Sequence, residues 1–362
     1  MSKTIGILTA GGDCPGLNAV IRAVVKTAKT KYDYKIIGFK DGYRGLVLDN
    51  WKELSVNDVS GILDRGGTIL GTSNRDNPFK FKADNNGDNE YKDMSQTVID
   101  NLKNHNIEVL VTIGGDGTLT SARDFSRMGL NVIGVPKTID NDLSGTDLTF
   151  GFNTAVGTAT EAIDKLHSTA ESHHRVMILE VMGRYAGWIA LESGIAGGAD
   201  VILIPEIPYD INRVAEKILE RKKKGKSFSL VVVAEGAKPL GGKMVVNKID
   251  NNSPDPIKLG GIGNLLADKL EVLTGLETRV TVLGHLQRGG SPTPFDRMLS
   301  TRFGVAAIEK IADKEYGKMI CLNGNSIGTV TLEEAVGKLK TVNPNGEYVK
   351  IAKSIGLELG DT

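Results

Sequence analysis

The chain alternates between two kinds of apolar pattern. The first is a short run rich in β-branched residues and apolar at nearly every position, which is typical of a strand covered on both faces of its sheet. Such runs predict strands at residues 4–8, 108–113, 131–135, 176–181, 201–204, 229–234 and 279–283. Burial of both faces favours parallel sheets.

Between these runs, apolar residues recur at the spacing of an amphipathic helix. This pattern predicts helices around residues 17–24, 156–166, 211–218 and 262–273. The third begins after Asp210, a good N-cap, and stops at Gly225 after three lysines that suit the negative helix end. Alternating strands and helices predict an α/β fold of two doubly wound lobes, with mainly parallel sheets covered by helices and the active site in the cleft between them.

Composition narrows the class of protein. The chain has 362 residues, which favours two domains, and its 44 basic and 44 acidic side chains leave no net charge to attract nucleic acid or a membrane. Any bound anion must therefore be held by locally placed groups. Cys14 and Cys321 are too few for a disulfide framework, and no signal or membrane-spanning segment is evident, so we expect a cytoplasmic protein.

The residues that directly follow the predicted strands differ from the rest of the chain. Nearly every strand is followed by glycine, a carboxylate or arginine. The segments are TAGGD (9–13), IGGDGT (113–118), PKTIDND (136–142), MGR (182–184), PE (205–206), EG (235–236) and GHLQRGG (284–290). Because open parallel sheets bind ligands beyond the carboxyl ends of their strands, we expect a ligand site there.

The segment GGDG (114–117) is followed by Thr118 and the start of a helix. Glycines let the backbone approach a polyphosphate, and the first N–H groups of a helix attract an anion. Asp116 then offers an oxygen ligand for the Mg²⁺ that accompanies phosphates. A tight turn with Asp116 as N-cap is the plainer alternative. Nicotinamide-dinucleotide and lipid kinases share the motif, so it indicates a phosphoryl donor without identifying the acceptor.

Two aspartates, Asp140 and Asp142, stand two residues apart after a predicted strand. In an extended loop both side chains project to one side, so one could accept a proton while the other helps to hold a metal through water. Capping or turn aspartates are the alternative, although two carboxylates on one side also need a nearby cation.

Basic side chains flank several predicted strand ends. Arginine is suited to forked hydrogen bonds with phosphate, although any one of these residues is more simply a surface ion pair. Together they predict a clamp for a phosphorylated substrate. The residues are Arg175, Arg184, Arg279, His285 and Arg288.

These motifs, in this order, strongly resemble the 6-phosphofructokinase family. The match runs from GILTAGGDCPGLNAVIR (6–22) through DGYRGL (41–46), IGGDGT, PKTIDND, EVMGRYAG (180–187) and IAGGAD (195–200) to RVTVLGHLQRGGSPTPFDR (279–297). It leaves mainly two inserted loops, 74–93 and 237–258, and the tail from about 338. The resemblance implies transfer of the γ-phosphoryl group of Mg-ATP to the 1-hydroxyl of fructose 6-phosphate, giving fructose 1,6-bisphosphate and ADP in glycolysis.

The resemblance also implies roles for individual residues. Asp140 would be the base for the sugar hydroxyl, Thr138 and Arg184 would contact the transferring phosphoryl group, and Asp116 would bind Mg²⁺. The donor would be held by Gly12, Tyr43, Arg75, Asp76, Gly115, Asp116, Gly117 and Thr118. The sugar phosphate would be held by Thr138, Ile139, Asp140, Arg175, Met182, Gly183, Arg184, Glu235, Arg279, His285, Leu286, Gln287 and Arg288.

Two positions bear on the donor, and they disagree. Family members that use ATP resemble this chain at Gly117, where pyrophosphate users commonly carry an aspartate that blocks the nucleotide's α-phosphate. Lys137, in contrast, is the pyrophosphate-type residue. Because space for the nucleotide is a precondition, whereas a lysine could serve either donor, the sequence favours ATP, with pyrophosphate as the alternative.

The resemblance further implies an assembly and a division into lobes. A donor lobe would comprise residues 1–151 and about 287–337, and a sugar-phosphate lobe residues 152–286 and about 338–362. In similar enzymes Arg175 and Arg279 reach the site from a neighbouring subunit, so a homodimer or homotetramer is expected.

Four residues match the basic effector pocket of similar enzymes, Asp200 stands where glutamate is usual, and two basic residues are replaced, so effector control stays open. The matching residues are Arg22, Lys26, Lys224 and Lys226, and the replacements are Val56 and Ser227.

Two other functions account for fewer of the motifs. A nicotinamide-dinucleotide kinase shares only GGDG and leaves PKTIDND, MGR and GHLQRGG unexplained. A non-catalytic sugar-phosphate sensor would keep the arginines but have no use for Asp140 beside Asp142.

Overall fold

The computed structural model describes residues 3–82, 91–249 and 257–361. The strands are β1 (Thr4–Thr9), β2 (Lys35–Phe39), β3 (Trp51–Glu53), β4 (Phe81–Lys82), β5 (Tyr91–Lys92), β6 (Ile107–Gly114), β7 (Val132–Thr138), β8 (Phe150–Gly151), β9 (Val176–Val181), β10 (Val201–Leu203), β11 (Ser229–Ala234), β12 (Val246–Ile249), β13 (Ile257–Leu259), β14 (Thr278–Val282), β15 (Lys318–Asn323) and β16 (Ser326–Thr331). The helices are α1 (Leu17–Tyr32), α2 (Tyr43–Val47), α3 (Ser95–Asn104), α4 (Asp116–Arg127), α5 (Phe152–His173), α6 (Trp188–Ala196), α7 (Ile211–Lys223), α8 (Ile262–Thr274), α9 (Pro294–Ala312), α10 (Leu332–Ala335) and α11 (Glu347–Ser354). A 3-10 turn, Gly284–Arg288, follows β14.

Most of these strands belong to two sheets. The larger has the order β16-β15-β7-β6-β1-β2-β3, with β8 beside β7. Its inner strands are parallel, whereas the edge strands β3 and β16 are antiparallel to their neighbours. The smaller sheet, β10-β11-β9-β14, is parallel throughout. The prediction of an α/β fold with mainly parallel sheets is therefore confirmed.

The two sheets share one apolar core. It joins α1 and α9 on one face of the larger sheet to α5 and to the inner positions of the smaller sheet. The larger sheet draws its strands from residues 4–151 and 318–331, and the smaller from residues 176–282. The exact lobe boundaries stay a prediction. None of the helices in the described ranges is long and apolar enough to cross a membrane.

The sequence pattern located the inner strands well. Every predicted strand is present, with ends displaced by at most three residues, and β9 and β11 have the predicted bounds. The predicted N-cap of α7 is confirmed, because the Asp210 carboxylate accepts the N–H of Asn212 at 2.9 Å. The two inserted loops contribute short hairpins, β4 with β5 and β12 with β13, whose connecting residues lie outside the described ranges.

Candidate active site

A cavity of about 350 Å³ opens at the carboxyl ends of β1, β6 and β7. Arg184, which follows β9, and Arg288, in the 3-10 turn, complete its wall, so segments from both sheets contribute. The other lining residues are Ala10, Gly11, Gly12, Tyr43, Ser73, Asn74, Arg75, Asp76, Asn77, Gly115, Asp116, Gly117, Thr118, Ser121, Lys137, Thr138 and Asp140. The cavity lies where the sequence pattern leads us to expect a ligand.

The GGDG turn joins β6 to α4. Gly115 is the N-cap and Asp116 is the first helical residue, so the alternative of Asp116 as N-cap is wrong. A Cβ built on Gly117 would meet no heavy atom within 4 Å, which leaves open space beside the helix N-terminus. The hydroxyl of Tyr43 donates to the carbonyl of Thr118 at 2.9 Å and holds the first turn of α4 in place. This turn offers unpaired N–H groups to an anion.

The loop after β1 is bounded by two cations. A Cβ on Gly12 would lie 2.7 Å from Nη1 of Arg288, which also donates to the carbonyl of Asp13 at 3.3 Å. A side chain at position 12 would therefore displace the guanidinium from this place. On the other side, the buried Lys137 donates from Nζ to the Gly12 carbonyl, and its burial lowers its pKa.

Asp140 and Asp142 lie in the turn after β7. Thr138 ends the strand, and its Oγ1 accepts the N–H of Asp140 at 3.1 Å. Asn141, between the two aspartates, has a φ of 51°. This is the left-handed region that asparagine tolerates better than most residues, so the prediction of an extended loop is wrong.

The carboxyl group of Asp140 is placed to accept a proton. Its Oδ1 is buried and has no hydrogen-bond partner among the described residues. Burial raises the pKa of Asp140, whereas the positive charges of Arg288, Lys137 and Arg184 oppose that rise. A buried, unpartnered carboxyl oxygen beside three cations fits a general base that waits for a ligand hydroxyl.

The carboxyls of Asp116 and Asp142 fit a Mg²⁺ ion that is shared with phosphates. Burial, together with the charges of Asp140 and Asp116, raises the pKa of Asp142 to about 7, so these acidic groups repel one another. Across the described ranges, no three metal-ligating side chains form a complete cage. Mg²⁺ is usually held by one or two carboxylates together with phosphates and waters, and the carboxylates of Asp116 and Asp142 match this type of coordination.

One wall of the cavity comes from residues 73–77, which the sequence pattern had marked only in part. Arg75 is exposed at the rim. Asp76 accepts a hydrogen bond from the Ser73 hydroxyl and pairs with Arg44 at 3.5 Å, so it shapes the wall as well as lining it. The lining residues that sequence reasoning missed are Ala10, Ser73, Asn74, Asn77 and Ser121. Ala10 follows β1, Ser73, Asn74 and Asn77 lie in or next to the inserted loop, and Ser121 lies in α4. Position along the chain is the signal that could have found the first four.

Residues assigned to the sugar phosphate follow the strands of the smaller sheet. Met182 and Gly183 lie between β9 and Arg184, and Glu235 directly follows β11. Burial, with the charges of Asp140 and other groups, raises the pKa of Glu235 to about 7, which indicates that its carboxyl lies close to the turn after β7.

The 3-10 turn presents three further residues of this set. His285 and Leu286 are exposed, whereas Gln287 is buried and its Oε1 has no partner in the described part of the chain. Ile139 is fully buried and is not among the residues that line the cavity.

Arg175 and Arg279 lie away from the cavity of their own chain. Arg175 directly precedes β9, Arg279 is the second residue of β14, and both pair with Glu277; the Nε of Arg175 is 2.7 Å from its carboxylate. β9 has six residues, which is roughly 20 Å of strand between Arg175 and the site. Within one chain, therefore, only Arg184 and Arg288 of the five predicted basic residues line the cavity, and the clamp formed by all five stays a prediction.

Two residues of the possible effector pocket have partners within the chain. Asp200 pairs with Arg221 at 2.8 Å and accepts the N–H of Leu230 at 2.9 Å. Lys224 pairs with Glu220 at 2.5 Å. Asp200 thus contributes to the packing between α7 and β11.

Comparison with known proteins agrees with this geometry. The family model of phosphofructokinase matches residues 4–311. The chain is 61% identical over 361 residues to ATP-dependent 6-phosphofructokinase 2 of Clostridium perfringens, and the match covers 99% of each chain. It is 51% identical over 341 residues to a pyrophosphate–fructose 6-phosphate 1-phosphotransferase of Streptomyces coelicolor, which covers 94% of this chain and 96% of the relative.

A solved structure shares the fold. The phosphofructokinase of Pichia pastoris, crystallised in the T-state, superposes with a TM-score of 0.79 at 35% sequence identity. The superposition covers 92% of this chain and 35% of the much longer yeast chain.

Proposed function

The chain belongs to the phosphofructokinase family, and we propose that it transfers the γ-phosphoryl group of Mg-ATP to the 1-hydroxyl of fructose 6-phosphate, giving fructose 1,6-bisphosphate and ADP. It is a glycolytic phosphotransferase with an alcohol group as acceptor. One observation carries this proposal: a glycine turn at a helix N-terminus, the Asp140 carboxyl, and Arg184 and Arg288 converge on one cavity, and Oδ1 of Asp140 has no hydrogen-bond partner among the described residues.

Asp140 acts as the general base in this proposal. Its Oδ1 takes the proton of the sugar 1-hydroxyl while that oxygen forms a bond to the γ-phosphorus, and the bond from phosphorus to the ADP oxygen breaks. Thr138 and Arg184 line the same wall and contact the transferring group. Aligning the two substrates is the larger part of the work, because phosphoryl transfer needs little covalent help from the protein.

The remaining groups balance negative charge. The start of α4 and the side chains of Arg288 and Lys137 face the donor phosphates across the cavity. Asp116 would hold the Mg²⁺, which supplies countercharge when bound, and Asp142 would assist through water. The sugar phosphate would contact the segments after β9, β11 and β14.

ATP is the donor that the cavity favours. A Cβ on Gly117 would meet no heavy atom within 4 Å, and an aspartate at this position would occupy space that a nucleotide needs. Pyrophosphate is the second candidate, because Lys137 is of the pyrophosphate type and a pyrophosphate-dependent relative is 51% identical. Lys137 serves either donor as a point charge, so its presence does not outweigh the open space.

A donor assay tests this proposal. The purified chain is supplied with fructose 6-phosphate and either ATP or pyrophosphate at equal Mg²⁺, and ATP should support turnover. The Gly117→Asp variant should lose ATP-dependent turnover while keeping its fold, because a Cβ at this position meets no neighbour. Gly157→Asp, at an exposed position of α5 with almost as much space, is the matched control. Turnover with pyrophosphate and none with ATP, together with a harmless Gly117→Asp, would reverse the choice of donor.

We also propose an assembly and a location. Arg175 and Arg279 lie too far from their own cavity to bind its substrate, so a site shared with a neighbouring subunit, in a homodimer or homotetramer, gives them a role. Cys14 and Cys321 are both free and buried, which suits the reducing cytoplasm.

A further inference from the structure

The segment from Gly337 to Val342 lies beyond the part of the chain that the family model describes, which ends at residue 311. In the structure it follows α10 and runs between the turn after β7 and the N-terminus of α6. It therefore touches loops of both sheets at the edge of the cavity. We call residues 337–342 the C-terminal strap.

Lys340, within the strap, is bound tightly to the turn after β7. Its Nζ donates to Oδ1 of Asn141 at 2.9 Å, to the carbonyl of Thr146 at 3.0 Å and to the carbonyl of Asp147 at 2.8 Å. An ammonium group has three N–H donors, so all of them are used in holding this one loop. The backbone N–H of Lys340 adds a fourth bond, to the carbonyl of Asp142 at 2.8 Å.

The turn after β7 needs such support because its backbone conformation is unfavourable at Asn141. Asn141 has a φ of 51° and directly follows Asp140. Left-handed backbone at a residue other than glycine costs free energy and persists only where neighbouring groups impose it. The Asn141 side chain is held from two sides, by Nζ of Lys340 and by the N–H of Thr149 at 3.2 Å.

The strap also reaches the other groups of the site. The N–H of Gly337 lies 3.3 Å from Oδ1 of Asp116, the proposed Mg²⁺ ligand. On the side of the smaller sheet, Nε1 of Trp188 donates to the Lys340 carbonyl at 3.0 Å. The N–H of Val342 and the N–H of Gly187 both donate to Glu206, at 2.8 and 3.0 Å. Gly187 and Trp188 begin α6, three and four residues after Arg184.

We propose that Lys340 is a positioning residue for phosphoryl transfer, one that fixes the turn after β7 so that Asp140 faces the sugar hydroxyl. The inference rests on the proposed role of Asp140 as the base. Lys340 is not among the residues that line the cavity; it acts through the loop backbone and the side chain of Asn141. The charge of the ammonium group strengthens each bond to a carbonyl oxygen.

The test compares three variants with the parent enzyme. Lys340→Met keeps the length of the side chain and removes its donors, and Lys340→Arg keeps the charge but points its N–H groups in a flat fork. Lys350→Met, at an exposed position of α11, is the control for the loss of one lysine. For Lys340→Met we expect kcat to fall about 10- to 100-fold, since small misplacements of a reacting group have effects of this size. We expect the KM for each substrate to change less than about threefold, Lys340→Arg to fall between the parent and Lys340→Met, and Lys350→Met to match the parent.

Hydrogen exchange without substrates gives a second, independent readout. Amides of residues 139–149 should exchange faster in Lys340→Met, while those of β1, β6 and β9 keep the parental rate. A kcat within about twofold of the parent, or uniformly faster exchange with no selective change in this loop, would overturn the inference. If Lys340→Met does not fold, Lys340→Arg decides: a lower kcat at an unchanged Tm supports the role, and the parental kcat refutes it.

The two proposals fail in distinguishable ways. If the parent transfers no phosphoryl group from either donor, the proposed function is wrong, and loop exchange alone still reports whether Lys340 holds the turn. If the parent is active and Lys340→Met equals it, only the role of Lys340 is wrong.

Discussion

At the scale of single residues, the chemistry depends most on the Asp140 carboxyl. For Asp140→Asn we expect kcat to fall by roughly two to four powers of ten, because an amide cannot take the proton and general-base contributions have this size. Binding of fructose 6-phosphate should persist, since asparagine has nearly the same shape. Steady-state kinetics and calorimetric titration measure the two quantities. Asp164→Asn, at an exposed position of α5, is the control, and near-normal turnover in Asp140→Asn would refute the assignment of the base.

Sequence reasoning found the residues of the site better than it found their arrangement. The GGDG and PKTIDND motifs each follow an apolar strand, so topology alone brings Asp116 and Asp140 to one edge of the larger sheet. Arg175 and Arg279 flank strands too, but at the amino ends. The predicted strands at 176–181 and 279–283 already place both arginines at amino ends, so grouping them with residues that follow strands disregarded the direction of the chain.

Contacts made by distant segments were equally hidden. The close approach to Gly12 comes from Arg288, which is remote in sequence and reaches the same loop from the 3-10 turn. The left-handed Asn141 is stabilised by Lys340, in a tail that no motif marks. Pairings of this kind depend on packing between segments far apart in sequence, and one sequence contains no periodic signal for them.

At the scale of elements, the close approach of α1 and α9 depends on one glycine. A Cβ on Gly304 of α9 would lie 2.7 Å from Cβ of Ala23 and 2.8 Å from the carbonyl of Val20, both in α1. Gly304→Ala must therefore push the helices apart, and overpacking of this kind costs about 1–3 kcal/mol. We expect a lower free energy of unfolding in urea.

The matched control for this prediction is Gly157→Ala in α5. There a Cβ has a single neighbour at 4.0 Å, and the position is exposed. Alanine is the better helix former, so this variant should be neutral or more stable by up to about 1 kcal/mol. Equal stability changes in the two variants would show that packing against α1 does not explain the glycine at 304.

Helix α9, which contains Gly304, is an element that the apolar pattern did not predict. The buried residues of α9 form one stripe at helical spacing, but that stripe includes the polar Asp296 and Ser300, whereas the apolar Phe295 and Met298 are exposed, so the apolar pattern does not mark the helix. β15 and β16 pair as an antiparallel hairpin at the sheet edge, and β16 alternates little in burial. The inner parallel strands, apolar throughout, were predicted because burial on both faces leaves a continuous signal.

At the scale of the whole molecule, acidic groups gathered at the cleft make stability depend on pH. Burial and neighbouring carboxylates raise the pKa of Glu235 to about 7, from an ordinary value of 4.5. The folded state therefore binds more protons than the unfolded state between these values. The contribution of Glu235 to stability is full below about pH 4.5 and is lost as the pH rises towards 7.

Glu235→Gln should remove this part of the pH dependence. Between pH 5 and pH 7.5, the parent without ligands should lose on the order of 2 kcal/mol more unfolding free energy than the variant does. Urea titrations at both pH values and one protein concentration measure the difference, and comparing two variants of one chain cancels the ionisable groups that do not interact with Glu235. Parallel pH dependence in the two proteins would show that Glu235 titrates normally.

The remaining prediction concerns the completion of the site by a second chain. Arg175 pairs with Glu277 at the amino ends of β9 and β14. We expect it to enter the cavity of a neighbouring subunit there. Arg175→Ser and Asp140→Asn chains should each be impaired. Unfolded together and refolded at equal amounts, they should regain about a quarter of the parental activity, because half of the randomly formed pairs are hybrid and each hybrid has one intact site.

A second mixture distinguishes active sites shared between subunits from other causes of recovered activity. Asp140 and Arg184 line the same cavity within one chain, so a hybrid of Asp140→Asn with Arg184→Ser contains no intact site. This mixture should stay inactive whatever the assembly. Recovery in the first mixture and none in the second assigns Arg175 to the neighbouring subunit's site, whereas inactivity of both mixtures, with hybrid oligomers demonstrated by mass spectrometry, would mean that each chain holds a complete site.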